Sequence, residues 1–334
     1  MRVLIRIIGY AGRYRIRLSL AYLAVLAFTA FSLAIPWLLG NAIDTALSSG
    51  QLMQLILLGV AIIVVSVGRG IAAFGRSYLS ESVSEKVAYD LRNEFYDHHQ
   101  RLSLSYQDKQ QTGDLMSRAT SDVEGVRNFI LSGLVSTAYN ATLLIGVSIL
   151  VFNLNWKLAV ICLAFAPLIA WRTGLIYKTA RQVWTFVQKE IGSLTTELQE
   201  NLSGQRVVKA FNGEEYEKEK FHHKARKVLA GSYKVHILSA SVGSMMTAFQ
   251  MGAVGIVLWL GGRDVIDGRM TAGEMAQFIL YLNLLVQPIK MIGQLLLLFS
   301  RSISSGKRLF SVLDAESPVK EQLNPVTMST LKGH

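Results

Sequence analysis

Two short runs carry residue types able to hold phosphate: Leu202-Ser-Gly-Gln205 and Ser305-Gly306-Lys307. A phosphate-cradling loop needs G-x-x-x-x-G-K-[ST], so that glycine amides wrap the phosphates and a hydroxyl holds Mg²⁺. Here the upstream glycine position is Arg301 and the hydroxyl position is Arg308. The run at Leu202 lacks the second glycine of an L-S-G-G-Q signature and falls inside a helical pattern. Neither run equips the chain to hydrolyse a nucleotide, and no catalytic set is expected. Cys162 stands alone, which excludes an intrachain disulfide and a thiol metal site. His98–His99 and His222–His223 are adjacent pairs that do not share a helix face, so no metal site is expected either.

A second set of chemically capable residues lies inside an apolar run. Asn283, Gln287, Lys290 and Gln294 are spaced four, three and four apart, which puts them on one face of a helix. A polar stripe in hydrocarbon is costly, so it is expected to face a water-filled cavity or protein. Lys290 either joins that cavity or snorkels to the membrane surface, and the same choice applies to Arg69 between Gly68 and Gly70. Ala240, Ser244, Ala248 and Gly252 form a stripe of small residues that reads as a helix-packing face. Gln250 lies off this stripe and can share the cavity.

These residues need membrane helices to position them. The 334 residues are 51% hydrophobic and only 17% charged, below the roughly 25% of soluble domains. Mean hydropathy is +0.34. Continuous apolar runs of about 20 residues, the length that crosses a bilayer as a helix, occur at Leu18–Leu39, Leu52–Phe74, Phe129–Leu154, Leu158–Ile176, Ile237–Leu260 and Met275–Phe299. The first is too long for a signal peptide. The fold class is therefore an all-α membrane protein with six long transmembrane helices.

Charge distribution orients them. Residues 1–17, 76–128, 172–236 and 301–334 carry 5, 7, 12 and 5 Lys/Arg, whereas 41–51, 153–157 and 261–274 carry none, one and two. The positive-inside rule places both termini and both long loops in the cytoplasm. The net charge of +11 thus follows the membrane topology and does not point to nucleic acid.

The two long loops lack proline and keep helical spacing, as at Val83, Val87, Leu91 and Phe95. The membrane helices are expected to continue roughly 35–40 Å into the cytoplasm. Each loop breaks once. Ser105 can cap a short helix Ser105–Gln111 with Asp108 at its third position and Gly113 at its end. Asn212 and Glu215 form a capping-box pattern opening a second, Glu214–Phe221. Such tips are either plain turns or docking elements.

Four segments together resemble the transmembrane half of ATP-binding-cassette (ABC) exporters. They are Thr112-Gly-Asp-Leu-Met-Ser-Arg-Ala-Thr-Ser-Asp122, Glu200-Asn-Leu-Ser-Gly-Gln-Arg-Val-Val-Lys-Ala-Phe211 with Glu214 and Glu217, Gly268-Arg-Met-Thr-Ala-Gly-Glu-Met-Ala-Gln-Phe278 leading to Gln287-Pro288, and Ser305-Gly-Lys-Arg-Leu-Phe-Ser-Val-Leu-Asp314. The resemblance implies a membrane domain over 1–316 and a linker over 317–334. It implies that the linker leads to a nucleotide-binding domain, with Leu331-Lys-Gly-His334 similar to that domain's start. The chain would be an isolated membrane domain, either cut from a longer protein or paired with separate ATPase subunits.

By the same resemblance, Ser105, Tyr106, Gln107, Asp108 and Gln111 would form a first coupling helix. Asn212, Gly213, Glu214, Glu215, Tyr216 and Glu217 would form a second. Both would seat in nucleotide-binding domains, the second on the partner subunit's, with the fourth and fifth membrane helices exchanged in a domain-swapped homodimer or heterodimer. ATP and Mg would act in the missing domain. Cargo would be a hydrophobic or amphipathic small molecule, a lipid or a peptide, moved across a bacterial plasma membrane. The alternatives are an ATP-independent secondary transporter or a six-helix channel subunit. The sequence shows neither paired broken helices nor a voltage-sensing arginine series.

The topology makes the first prediction. Cysteines at Gln110 and Gly213 resist impermeant labelling from outside intact cells, and one at Ser49 reacts; outside labelling of either tip contradicts the orientation.

Overall fold

Long segments fold here as single helices even where a proline lies inside, as at Pro36 and Pro288. In the computed structural model, which describes residues 2–48, 52–108 and 110–317, the chain runs as α1 (Arg2–Gly12), α2 (Arg15–Ser48), α3 (Leu52–Arg101), α4 (Leu104–Gln107), α5 (Thr112–Leu154), α6 (Trp156–Ser203), α7 (Gln205–Ala210), α8 (Glu214–Ile266) and α9 (Ala272–Leu313). No strand occurs among the described residues. Over those residues α2, α3, α5, α8 and α9 are long and apolar enough to cross a membrane. The sixth long helix, α6, carries the apolar run 158–176 but is not among those five. Ser49 and, apart from Ser317, the linker 317–334 lie outside the described residues.

The chain divides into two compact units. The first comprises Met1–Ile35, Ile63–Leu143 and Gln294–His334. Its core lies where α3 has left the apolar run 52–74, a stretch of 27 residues and about 40 Å. There Val83, Val87, Leu91 and Phe95 recur every four residues and are all buried. They pack with Ile7 and Ala11 of α1, Val126, Phe129 and Ile130 of α5, and Leu309 and Phe310 of α9. Fully burying a large apolar side chain contributes about 1.5–3 kcal/mol, so this cluster holds four helices in one register.

Polar contacts rim the cluster. Arg6 donates to Asp314 at 2.7 Å, Tyr14 to Asp90 at 2.9 Å, and Tyr10 to Glu94 at 2.8 Å. Burial, reinforced by that Glu94 bond, pushes the Tyr10 phenol up to about 12. Arg127 joins Glu124, Glu81 and Glu85. Its hydrogen bond holds the Glu124 carboxyl below the usual range.

The Ser-Gly-Lys run belongs to this packing and not to a loop. It lies within α9, and a Cβ on Gly306 would stand 2.5 Å from Val3. On the same helix Ser302 donates to the Gly125 carbonyl at 3.1 Å, and a Cβ on Gly125 would stand 2.7 Å from the Ser305 hydroxyl. Arg308, at the position a phosphate loop gives to a hydroxyl, reaches Asp122 with two nitrogens, Nε at 2.8 Å. Asp122 is 3% exposed and closes a π turn at Arg118–Asp122 in α5. The pairing raises the arginine's pKa further.

The second unit comprises Pro36–Ile62 and Leu144–Gly293. The hairpin of α6 and α8 is its main part. A Cβ on Gly231 would fall 2.6 Å from Val187, so glycine permits the two helices to meet there. Nearer the tip, the buried Glu197 of α6 receives both Lys220 and Lys224 of α8. These two hydrogen bonds hold its carboxyl below the normal glutamate range. The depressed value means that this clamp is present above the unfolded glutamate pKa and is lost as pH falls through the folded one.

The short connections are capped. Asn155 accepts from Lys157 and Leu158 amides at 3.1 and 3.2 Å and donates to Asp264 at 2.9 Å. Gly268 turns at φ 69°, and Thr271 and Glu274 form a reciprocal capping box at the start of α9. Asp44 of α2 accepts from the Thr271 hydroxyl and the Gly273 amide at 2.6 and 2.7 Å.

Replacing Arg308 with leucine strands the buried Asp122 carboxylate. We expect a loss of about 2 kcal/mol in thermal unfolding of the detergent-solubilised chain. Arg301→Leu, at an exposed position, changes stability little; equal effects would deny the pair its role.

Candidate functional site

The α9 stripe stands open. Asn283, Gln287, Lys290 and Gln294 are all exposed, while Tyr281, Leu282 and Leu285 on the other side of α9 are buried. Gln294 is the first α9 residue of the first unit, and the other three belong to the second. Within the second unit the structure joins two of the sequence candidates: the Gln250 side-chain amide of α8 donates to the Asn283 oxygen. Asn283 in turn donates to the Ile279 carbonyl at 2.9 Å. Arg69 belongs to the first unit, where its guanidinium lies 5.3 Å from the centre of the Phe28 ring. Arg76 lies 4.7 Å from both Phe28 and Tyr139, so both cations rest on aromatic faces.

Beside the Gln250–Asn283 bond is an apolar cleft between α6, α8 and α9, lined by Cys162, Met246, Phe249, Leu282, Leu285 and Ile289 among others. Its volume is about 60 Å³, less than half of the roughly 150 Å³ that holds a benzene. Anything wider than an alkyl chain requires the helices to part. Cys162 and Leu285 carry no periodic polar signal, and sequence reasoning did not single them out for a site.

The hairpin tips depart from the expected boundaries. The first short helix is α4, Leu104–Gln107, entered at Ser103 in extended conformation; Ser103, not Ser105, holds the cap position. The buried Leu102 draws the chain back to the core just before it, which starts the helix earlier. Tyr106 and Gln107 are in α4, Asp108 ends it, and Gln111 opens α5. Gly113 lies in the first turn of α5 and ends nothing.

At the second tip, the short helix is α7, Gln205–Ala210, and it precedes Asn212. The Leu202 run does not continue a helix, because α6 stops at Ser203 and Gly204 separates it from α7. Asn212 adopts φ 54°. The Asn212 and Gly213 amides donate back to Lys209 and Val208 carbonyls at 3.3 and 2.9 Å. This is a Schellman termination of α7, with asparagine in the left-handed position it tolerates. Asn212 is therefore no N-cap, and Glu215 pairs with Lys218 instead of reaching back. Gly213 takes the cap position of α8. Glu214, Glu215 and Glu217 occupy the first turn of α8, where the dipole favours acids. That helix continues unbroken past Phe221, because no glycine or proline intervenes before Gly231. Glu217 accepts from Asn201 at 2.9 Å, and Tyr216 is exposed.

Both tips display apolar side chains with nothing packed over them: Leu104 at 77% exposure on the first, Phe211 at 82% on the second. These were missed because an apolar residue in a helical register reads as core. The signal that could have found them is position, at a tip beyond the water-side core.

The family model described as ABC transporter transmembrane region matches residues 18–289. An ATP-dependent lipid A-core flippase of Syntrophus aciditrophicus is 29% identical over 318 residues, 94% of this chain and 52% of that protein. The ATP-dependent lipid A-core flippase of Desulfotalea psychrophila is 28% identical, over 96% of this chain and 56% of its own length. A Bacillus subtilis protein named as an uncharacterized ABC transporter ATP-binding protein is 29% identical, over 97% and 55%. The chain spans about half the length of the curated relatives it matches.

The amide pair yields a double-mutant cycle. Gln250→Leu and Asn283→Leu, singly and together, should show a coupling of about 0.6–1.7 kcal/mol in unfolding of the membrane-reconstituted chain. Strict additivity would mean that the bond does not form in lipid.

Proposed function

The chain belongs to the ABC transporter transmembrane region family, and from that premise we propose that it is the cargo-translocating membrane domain of an ATP-driven exporter. The observation that carries the reading is the stripe of Asn283, Gln287, Lys290 and Gln294, exposed along an otherwise apolar membrane helix. Polar side chains at membrane depth face water or protein. In a dimer the stripe lines a central cavity, completed by Gln250. The exposed small-residue face of α8 (Ala240, Ser244, Ala248, Gly252) supplies close packing for the second subunit.

Residues 1–316 act as the membrane domain and 317–334 as the linker. An ATP-binding domain, holding ATP and Mg, drives the cycle from the cytoplasmic side of a bacterial inner membrane, where both termini lie. The relatives named as lipid A-core flippases support a lipid or lipid-like amphiphile as cargo. Family membership supports this reading over a channel subunit or an ATP-independent transporter.

Coupling runs through the two tips. Leu104 and Phe211 present apolar knobs for grooves in the ATP-binding domain, and the acids of the first turn of α8 give that contact its charge. The helices behind the tips, clamped by Glu197 with Lys220 and Lys224, act as levers between two packed arrangements.

With an ATP-binding domain supplied, Phe211→Ala and Leu104→Ala should each weaken docking by on the order of 2 kcal/mol, as at interface hot spots. Cargo-stimulated ATP hydrolysis and transport then fall together while membrane insertion and nucleotide binding persist. Wild-type transport from both variants would reduce the tips to solvated turns.

A further inference from the structure

The base of the α6–α8 hairpin carries a second kind of surface. Residues 172–189 and 225–236 contain Arg172, Lys178, Arg181, Lys189, Arg226, Lys227 and Lys234, and no Asp or Glu. None of these seven forms an ion pair among the described residues. The tip of the same hairpin is the opposite case, since Lys218, Lys220 and Lys224 are all bound to glutamates. Unpaired cations along one stretch of the hairpin, with no acid among them, call for an anion from outside the chain.

They also have a groove. Gln182, Val183 and Phe186 of α6 face Lys227, Ala230 and Lys234 of α8 across a space of about 540 Å³, floored where Gly231 admits Val187. Lys227 and Lys234 are seven residues apart, two turns or about 10 Å along one face, so both ammonium groups can close on one phosphate between them. Lys234 lies three residues, about 5 Å, before the apolar run 237–260 begins. That is the depth of a headgroup layer, which extends about 5–7 Å beyond the hydrocarbon on each side. Exposed Trp184 and Tyr233 flank the groove, the aromatic types that settle at membrane interfaces.

We propose that this groove binds the headgroup of an anionic phospholipid from the leaflet bordering the long hairpins. Lys227 and Lys234 take the phosphate, Gln182 offers a side-chain amide, and Val183 and Phe186 form the apolar wall beside them. A second copy of this chain presenting the same groove is a poor occupant, because the cations would meet their own kind. A free phosphate would gain nothing from the apolar half of the groove. The inference goes beyond the transport reading and depends only on the runs 158–176 and 237–260 lying in the bilayer.

A benzophenone side chain at position 182, in the full chain reconstituted into vesicles of equal parts phosphatidylglycerol and phosphatidylcholine, reads the occupant directly by mass spectrometry of the adduct. We expect phosphatidylglycerol adducts in excess. Lys227→Gln and Lys234→Gln each cut them about fivefold, and both together about 25-fold, the effect of one surface charge each on anionic-lipid attraction. Arg263→Gln, on the opposite side of the membrane, leaves the yield unchanged. Equal adducts with the two lipids, or adducts indifferent to both lysines, would overturn the proposal. Displacement by inorganic phosphate would convert it to a free-anion site, and cross-links to a second chain would convert it to an interface; either contradicts it. Release of the chain by alkaline carbonate would instead overturn its membrane placement, separately from the question of transport.

Discussion

Helices that outrun the bilayer must bury an apolar face in water. Between transmembrane helices no hydrophobic drive exists, because lipid tails are as apolar as leucine. Outside the membrane that drive returns in full, and in the first unit it is spent on one cluster. Leu91 of α3, Val126 and Phe129 of α5, Leu309 of α9 and Ile7 of α1 are all buried in it. Once these side chains are shut away from water, the rotation of each helix about its own axis is fixed within this unit. On α9, Gln294 of the same unit stays polar and exposed while Leu309 and Phe310 are buried in the cluster. The Asp122–Arg308 pair adds direction to a contact that apolar packing alone would leave free to slide.

The same logic explains the short connections and the hairpin. Where α2 ends and α9 begins, Asp44 satisfies the Gly273 amide and the Thr271 hydroxyl, so a helix start is tied to another helix end. Along α6 and α8, Gly231 sets the closest approach and Glu197 sets the register through two lysines. Each device is small. Together they stiffen the helices behind the tips, as the proposed coupling requires.

Much of this was legible in the residues. Apolar run length gave five of the six expected membrane helices, and the four-residue repeat from Val83 to Phe95 gave the buried face of α3. The polar stripe was legible because helical spacing is a matter of counting. The tips were read less well. Asn212 looked like the N-cap of a capping box, yet a positive φ is compatible with an asparagine ending the preceding helix, and local sequence alone does not choose between the two. Ser103 and Ser105 are both competent caps, and the choice between them is made by burial of Leu102 in a core assembled from distant segments. The partnership of Gln250 with Asn283 and that of Asp122 with Arg308 join residues 33 and 186 positions apart, which no periodicity reveals.

The central claim is that the α9 stripe lines a pathway whose access changes sides under nucleotide control. A single cysteine at Gln287, in protein supplied with an ATP-binding domain and reconstituted in vesicles, tests it with an impermeant thiol reagent applied to one face at a time. The account predicts labelling from the hairpin side without nucleotide, and labelling from the opposite side once the nucleotide-bound state is trapped. Protection from both sides in both states, or labelling from the same side throughout, would contradict it.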